Sequence, residues 1–393
     1  MAQGQRLPPG MNRNDRLYVN CGNYYVGDEG PNPFEQKSIA NLTKAGLGHT
    51  QYLLDDPKHV ERAEADGFGH GTDPFRLSKD GKGHQGHLDT MGGFVYADKA
   101  CRYALHFAQE LGVRFVLDKQ KGHFDHFYEP DGSTNVQGIV TADGAIHKAD
   151  LTIVACGGWS PSVLPELDGL CETTAGSVAT IQIPEQQTQL RQRFAPENFP
   201  VWQYKPRAGE NGNIYGFPID EKGVMKLGYR GKKYTNPQTQ PNGAVRSVPI
   251  TRWTTAPAAI TGLPEKSERI IHNFVEKYLP ELREHGLYIT GTRLCWYTDS
   301  FDNQFVVDAV PERPGVMIAT GGSGHAFKFL PVLGKFVVNR IEGGAGDVVE
   351  EQEFLQRWQW RQLKEGEQPY NPIMKGLEDP DALQRVQMVY RSS

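Results

Sequence analysis

The run Val316-Met-Ile-Ala-Thr320 is apolar and β-branched and stops at Gly321-Gly322-Ser323-Gly324. The stretch 331–341 then places Val332, Phe336, Val337 and Ile341 on one side of a helix. Few folds accommodate this pattern. A short apolar run bounded by glycine reads as a buried strand, and the spacing after it reads as a helix. A strand that breaks on glycines and turns into a helix brings bare backbone N–H groups and a positive dipole end to one point. That suits a phosphate, a carboxylate or a reduced flavin.

Composition narrows the partners. At 393 residues the chain can hold two domains of ordinary size. A net charge of −5 and a pI near 6.2 give no electrostatic reason to expect nucleic acid or an anionic membrane. No apolar run reaches the length of a membrane span, and residues 1–20 lack the apolar core of a signal peptide. Five cysteines without close pairing point to a reducing compartment, and Tyr390-Arg-Ser-Ser393 is not a Ser-Lys-Leu ending. A cytoplasmic protein with a small-molecule partner is expected.

Residues 1–91 are rich in Gly, Pro, Asn, Asp and His, with one helix predicted over 33–45. Gly81-Lys-Gly-His-Gln-Gly86 matches G-x-G-x-x-G letter for letter. It follows Leu77-Ser-Lys-Asp80 rather than a buried strand and opens no helix, so an exposed loop is expected. A helix is predicted over 97–112, with Gly112 as its stop. Strands follow over 113–117, 136–141 and 145–148, the last two flanking a turn at Asp143-Gly144. A buried strand over 150–155 then ends at Cys156-Gly157-Gly158-Trp159-Ser160. Those glycines let the main chain approach a ligand, or they mark a plain strand-to-helix turn; the residues alone leave the two equal.

Short strands over 178–184, 201–204, 213–218 and 223–229 read as an antiparallel sheet of a substrate domain. A helix over 267–279 carries Ile270, Ile271, Phe274, Val275 and Tyr278, with Pro280 past its end. A surface helix is predicted over 348–364, then an extended tail. His70, His84, His87, His123 and His126 could suggest a metal, but His84-x-x-His87 lies in a glycine-rich loop without a cysteine at zinc spacing. No metal is expected. Ser160 is not a nucleophile elbow, because G-x-S-x-G is absent.

One combination goes further. Thr292-Arg-Leu-Cys295-Trp-Tyr-Thr-Asp-Ser300 and Asn303-Gln-Phe-Val-Val-Asp308 precede Gly321-Gly-Ser-Gly-His325-Ala-Phe327-Lys328-Phe-Leu-Pro331. Together they resemble the C-terminal signature of FAD-dependent amine oxidases of the sarcosine oxidase and fructosyl amino acid oxidase (amadoriase) type, which include pipecolate and saccharopine oxidases. The resemblance covers about residues 92–345. It implies FAD as cofactor, bound covalently through Cys295, and Lys328 as the holder of the substrate carboxylate. Lys226, in its Lys-x-Gly-Tyr setting, is implied to serve O2, and Tyr215 to line the pocket. Arg230 stands where sarcosine oxidases carry histidine, which argues for a larger polar group or a second carboxylate. Val116, Gly157, Gly158, Trp159, Gly321, Gly322, Ser323, Gly324, His325, Phe327 and Lys328 are the further implied cofactor contacts.

The implied fold is α/β (α+β). A doubly wound FAD-binding domain, split between 92–168 and 305–347, would accompany an antiparallel-sheet substrate domain over 169–304. Residues 1–91 would join the latter, and 348–393 would form a C-terminal helix and tail whose Arg357-Trp-Gln-Trp-Arg361 resembles the fructosyl amino acid oxidases. The implied reaction is oxidation of a secondary amine or N-substituted amino acid by a monomeric enzyme, with O2 reduced to H2O2. The first strand, glycine turn and helix with which that family begins are not visible, so the chain reads as starting beyond them. A truncated or degenerate relative that binds no FAD is the alternative. A nicotinamide dehydrogenase is weaker, for want of a fingerprint. Blander readings stand beside each residue: Lys226 on a solvent-facing edge, Cys295 as a small buried hydrophobe, Arg230 on an exposed hairpin, Lys328 solvated at a helix start.

Overall fold

The computed structural model describes residues 7–26, 30–80, 86–130, 133, 135–205, 212–251, 254, 261–344 and 349–390. Eleven strands position the site. In chain order they are β1 (Asn23–Val26), β2 (Gln51–Leu53), β3 (His87–Asp89), β4 (Thr152–Val154), β5 (Cys171–Gln182) and β6 (Val201–Tyr204), then β7 (Ile214–Gly216), β8 (Val224–Tyr234), β9 (Gly291–Ser300), β10 (Val306–Ala309) and β11 (Val316–Thr320). Eight of them form one sheet in the order β9-β5-β8-β7-β6-β1-β3-β2, and β10-β11-β4 form a second. The large sheet is antiparallel except where β6 runs parallel to β1, so the antiparallel expectation holds for its centre.

Register sorts the side chains of the large sheet, because residues directly opposed across a pair share a face. On β5, Ala179 opposes Leu227 of β8, and Ile214 of β7 opposes Tyr229. Trp202 of β6 opposes Tyr24 of β1, which opposes Leu88 of β3. All are buried in one cluster with the helix Glu265–Tyr278. That helix directs Ile270, Ile271, Phe274, Val275 and Tyr278 inward, each worth about 1.5–3 kcal/mol of transfer when fully buried. Phe274 stacks on Trp202 at 4.6 Å, and Phe75 meets both rings edge-on. One face is therefore core, and the other is free for chemistry.

In the second sheet β4 runs parallel to β11, and β10 pairs β11 antiparallel. The helices Leu333–Ile341 and Val349–Arg357 pack Phe336 and Leu355 beside Trp358, Phe305 and Met317. The first helix starts two residues later than the spacing predicts because Ala326–Phe329 forms its own 3-10 turn.

Three expectations fail. The stretch 113–117 is no strand: Val113, Phe115, Val116 and Leu117 are all exposed, and no described strand pairs with them. An apolar β-branched run makes a strand only where a neighbour offers its ladder. The strand over 150–155 shrinks to Thr152–Val154, and Leu151 and Ile153 are exposed rather than buried. The helix predicted over 348–364 ends at Arg357, after which Arg361 binds Asp302. The stretch 81–85 of the G-x-G-x-x-G match, His84 included, lies outside the described residues.

Candidate functional site

On the face turned away from the core, β9 carries Arg293, Cys295, Tyr297 and Asp299, opposite Val178, Gly176, Thr174 and Glu172 of β5. On β8, Lys226 opposes Thr180, and Gly228 opposes both Val178 and Tyr215 of β7. Arg230, two residues beyond Gly228, points the same way. Period-two alternation thus brings Tyr215, Lys226, Arg230 and Cys295 to one surface from three strands. Two glycines clear it. A Cβ at Gly228 would stand 2.2 Å from the Tyr215 ring, and one at Gly176 would stand 2.9 Å from the Tyr297 hydroxyl. Tyr215 therefore lies across bare main chain.

The surface is cationic. Lys226 sits 5.1 Å from the Phe217 ring, and burial pulls its pKa below the usual lysine value, with Arg293 adding to the lowering and Cys295 opposing it. Lys226 has no ion pair or side-chain hydrogen bond among the described residues. Burial raises the Tyr215 pKa, and Cys295 adds to the rise. Tyr297 is shifted up in the same way, by burial above all. Deeper in, Lys233 donates to Asp299 at 2.7 Å, and Thr174 donates to the same carboxylate at 2.7 Å.

Two glycine turns converge on the outer strand, β9. The parallel pair β4 and β11 run side by side into Cys156-Gly157-Gly158-Trp159 and Gly321-Gly322-Ser323-Gly324. Thr298 holds both: its hydroxyl donates to the Gly157 carbonyl at 2.5 Å, and its carbonyl accepts from the Ser323 N–H at 2.8 Å. Thr173 donates to the Gly158 carbonyl. Gly157, Gly321 and Gly324 all have positive φ, at 54°, 71° and 72°, a region that glycine enters without penalty. Ser323 is buried with φ of 47°, its hydroxyl donating to the Gly321 carbonyl and accepting from the Ser300 N–H.

Arg230 joins the sheet to this turn. It donates to the Ser323 carbonyl at 3.2 Å and lies 5.6 Å over the Tyr297 ring. A Cβ at Gly324 would come 2.6 Å from its guanidinium. Arg230 is thus partly spent on architecture. His325 stacks on Phe305 at 4.9 Å and contacts the Asn303 carbonyl at 3.0 Å, and burial lowers its pKa. Lys328 follows on the 3-10 turn, exposed overall, its pKa lowered by desolvation alone. Phe327 is exposed beside it.

Val116 stands apart, exposed in the unpaired stretch already described. Arg293 and Tyr297 belong to the surface but were not singled out, although their alternation with Cys295 is visible in the sequence. His70 contacts the Cys21 carbonyl, His87 stacks on Tyr25, and His126 contacts Asp125. Among the described residues no group of three His, Cys, Asp or Glu could hold a metal ion.

The shape fits the ring end of a flavin. Glycine main chain at the carboxyl ends of adjacent parallel strands is where α/β sheets take ligands. The Tyr297 hydroxyl, two residues past Cys295 and on the same face, is buried without a partner among the described residues. No G-x-G-x-x-G turn that would cradle the diphosphate is found among the described residues.

A family model described as FAD dependent oxidoreductase matches residues 11–340. The chain is 31% identical over 265 residues to L-saccharopine oxidase of Schizosaccharomyces pombe, covering 65% of this chain and 55% of that one. It is 26% identical over 265 residues to human peroxisomal sarcosine oxidase, covering 65% and 58%. The chain thus spans a little over half the length of these curated relatives. A thermally stable mutant of fructosyl peptide oxidase superposes with a TM-score of 0.74 at 24% identity, covering 96% of this chain and 81% of that one. Fructosyl peptide oxidase from E. terrenum gives 0.69 at 25% identity, covering 88% and 74%. Among the described residues no helix is long and apolar enough to cross a membrane. With the family model matched over most of its length, the chain belongs to the FAD-dependent oxidoreductases.

Proposed function

We propose that the chain is an oxidase of secondary amines or N-substituted amino acids. The observation that carries this reading is the register: Tyr215, Lys226, Arg230 and Cys295 share one face, at whose edge two glycine turns meet. When bound, FAD would supply the two-electron oxidation of the C–H beside nitrogen, giving an imine that water hydrolyses and passing the electrons to O2 as H2O2. Cys295 would tether the cofactor, and Gly157, Gly158, Trp159, Gly321, Gly322, Ser323, Gly324, His325 and Phe327 would border it. Lys328, a cation just past the glycine turn, would hold the substrate carboxylate. Lys226, half-buried and without a counter-ion among the described residues, would stabilise negative charge developing on oxygen. Tyr215 would wall the pocket. The names of the relatives support an amine beside a carboxylate, and Arg230 supports something larger than sarcosine.

The test is oxygen consumption by the FAD-treated chain on a panel of N-alkyl amino acids, with Lys226→Met alongside. Amine-dependent uptake that falls at least tenfold in Lys226→Met, with reduction under nitrogen unchanged, is expected. Uptake at the wild-type rate in the variant would remove Lys226 from the oxygen step, and no uptake with any amine would remove the oxidase reading.

A further inference from the structure

The site just described uses Lys226, Arg230 and Lys328. A further lysine on the same face, Lys205, has no place in it. Lys205 lies two residues beyond Gln203, which opposes Tyr215, so it returns to the functional face. Across β7 it shares a row with Arg230, whose N–H is bonded to the Asn213 carbonyl. Two strand spacings separate the two main chains, about 9.5 Å.

The surroundings of Lys205 are unusual for a lysine. Its ammonium lies 5.7 Å from the Tyr25 ring and 5.8 Å from the Phe34 ring. Among the described residues it makes no ion pair and no side-chain hydrogen bond. Burial lowers its pKa, Glu35 opposes the lowering and Arg230 adds to it. Phe34 belongs to the first turn of the helix Pro33–Lys44, so the cation faces the positive end of a helix dipole. Among the described residues Glu35 is the one carboxylate that acts on it. It is committed to the helix cap, where Oε2 accepts from the Asn32 N–H at 2.9 Å, and it stays outside the 4.0 Å ion-pair distance. His87 closes the floor, buried and stacked on Tyr25 at 4.2 Å with the planes 6° apart. Burial takes its pKa down to about 4, so it adds no charge at neutral pH.

Arg230 and the helix N-terminus both disfavour the charge on Lys205, and a half-buried ammonium without an acceptor among the described residues forfeits hydration. An incoming anion relieves both costs. We propose that Lys205 receives a second carboxylate on the arm of the substrate remote from the oxidised carbon, so that the substrate is an N-substituted amino acid with two carboxylates. The proposal rests on the amine-oxidase reading for the position of the first carboxylate. Tyr25 and Phe34 flank the arm between.

N-(4-carboxybutyl)glycine and N-pentylglycine present the same arm with and without a terminal carboxylate. Calorimetric titration of the FAD-treated full chain should show the diacid binding about tenfold or more tighter. Lys205→Gln should abolish that preference while leaving the affinity for N-pentylglycine unchanged, and Lys205→Arg should keep most of it. The unchanged N-pentylglycine affinity shows that the variant is folded. No preference in wild type, equal weakening of both compounds in Lys205→Gln, or binding of neither compound overturns the proposal. Oxygen uptake with the same pair separates the two readings. A Lys205-dependent preference without oxidation removes the oxidase and leaves the subsite; oxidation without preference does the reverse.

Discussion

Gly228→Ala isolates the contact that shapes the pocket wall. Gly228 is absent from the positive-φ residues, so its backbone accepts a side chain without strain. The nearest obstacle is the Tyr215 ring: the new Cβ would stand 2.2 Å from Cζ, 2.4 Å from Oη and 2.5 Å from Cε1. No real contact is so short, and the ring must leave the sheet surface. Overpacking of this kind costs about 1–3 kcal/mol, while replacing glycine at a permissive position returns about 0.4–1 kcal/mol through the unfolded chain. The net expectation is a loss of about 1–2 kcal/mol. In a Tyr215→Ala background the obstacle is gone, and Gly228→Ala should stabilise by about 0.4–1 kcal/mol. Urea unfolding of the four proteins gives the cycle, with a coupling of about 2 kcal/mol expected. In Gly228→Ala the displaced ring should also raise KM for amine more than it lowers kcat. The same cost in both backgrounds would refute the claim that Tyr215 lies across Gly228.

Other outcomes follow from buried charge. Lys233→Met should cost about 3–5 kcal/mol, because it strands Asp299, 1% exposed, without its cation; pairing it with Asp299→Leu should recover most of the loss in a urea melt. Burial raises the Glu172 pKa from 4.5 to about 7, although the Met374 N–H bonded to its carboxylate opposes the rise. The folded state therefore keeps a proton that the unfolded state has released, and the benefit, complete below pH 4.5, is lost as pH rises to about 7. Its size is about 3 kcal/mol, so the stability of wild type relative to Glu172→Gln should fall across that window and level off above it; a constant difference would contradict the reading. Arg361→Ala removes a two-pronged bond to Asp302 and donors to the carbonyls of Gln304 and Phe305. It should cost about 2–4 kcal/mol, since a charged pair and its carbonyl partners are released together, and hydrogen exchange should rise around residues 302–305.

The parts of the site that were legible in the sequence are those written locally. Cys295 sits in a strand whose alternation with Arg293, Tyr297 and Asp299 is visible, and Val316–Thr320 with its glycines announces a strand and a tight turn. What joins them is not local. Nothing in the order of residues says that β4 runs beside β11, that Thr298 binds both glycine turns, or that Arg230 reaches Ser323. Strand partners far apart in sequence are chosen by packing, so the three-residue strands β2 and β3 and the place of Lys205 beside Tyr25 stayed hidden. The misread stretch 113–117 shows the converse, since its β-forming residues find no described ladder to join.

Cofactor attachment is the most direct test of the account. The visible spectrum of the chain after incubation with FAD, before and after acid precipitation, should show yellow colour that stays with the precipitate in wild type and washes away in Cys295→Ala. A chain that stays colourless with FAD added, or flavin that leaves wild type and variant alike, would contradict the assignment of this face as the flavin site and of Cys295 as its tether.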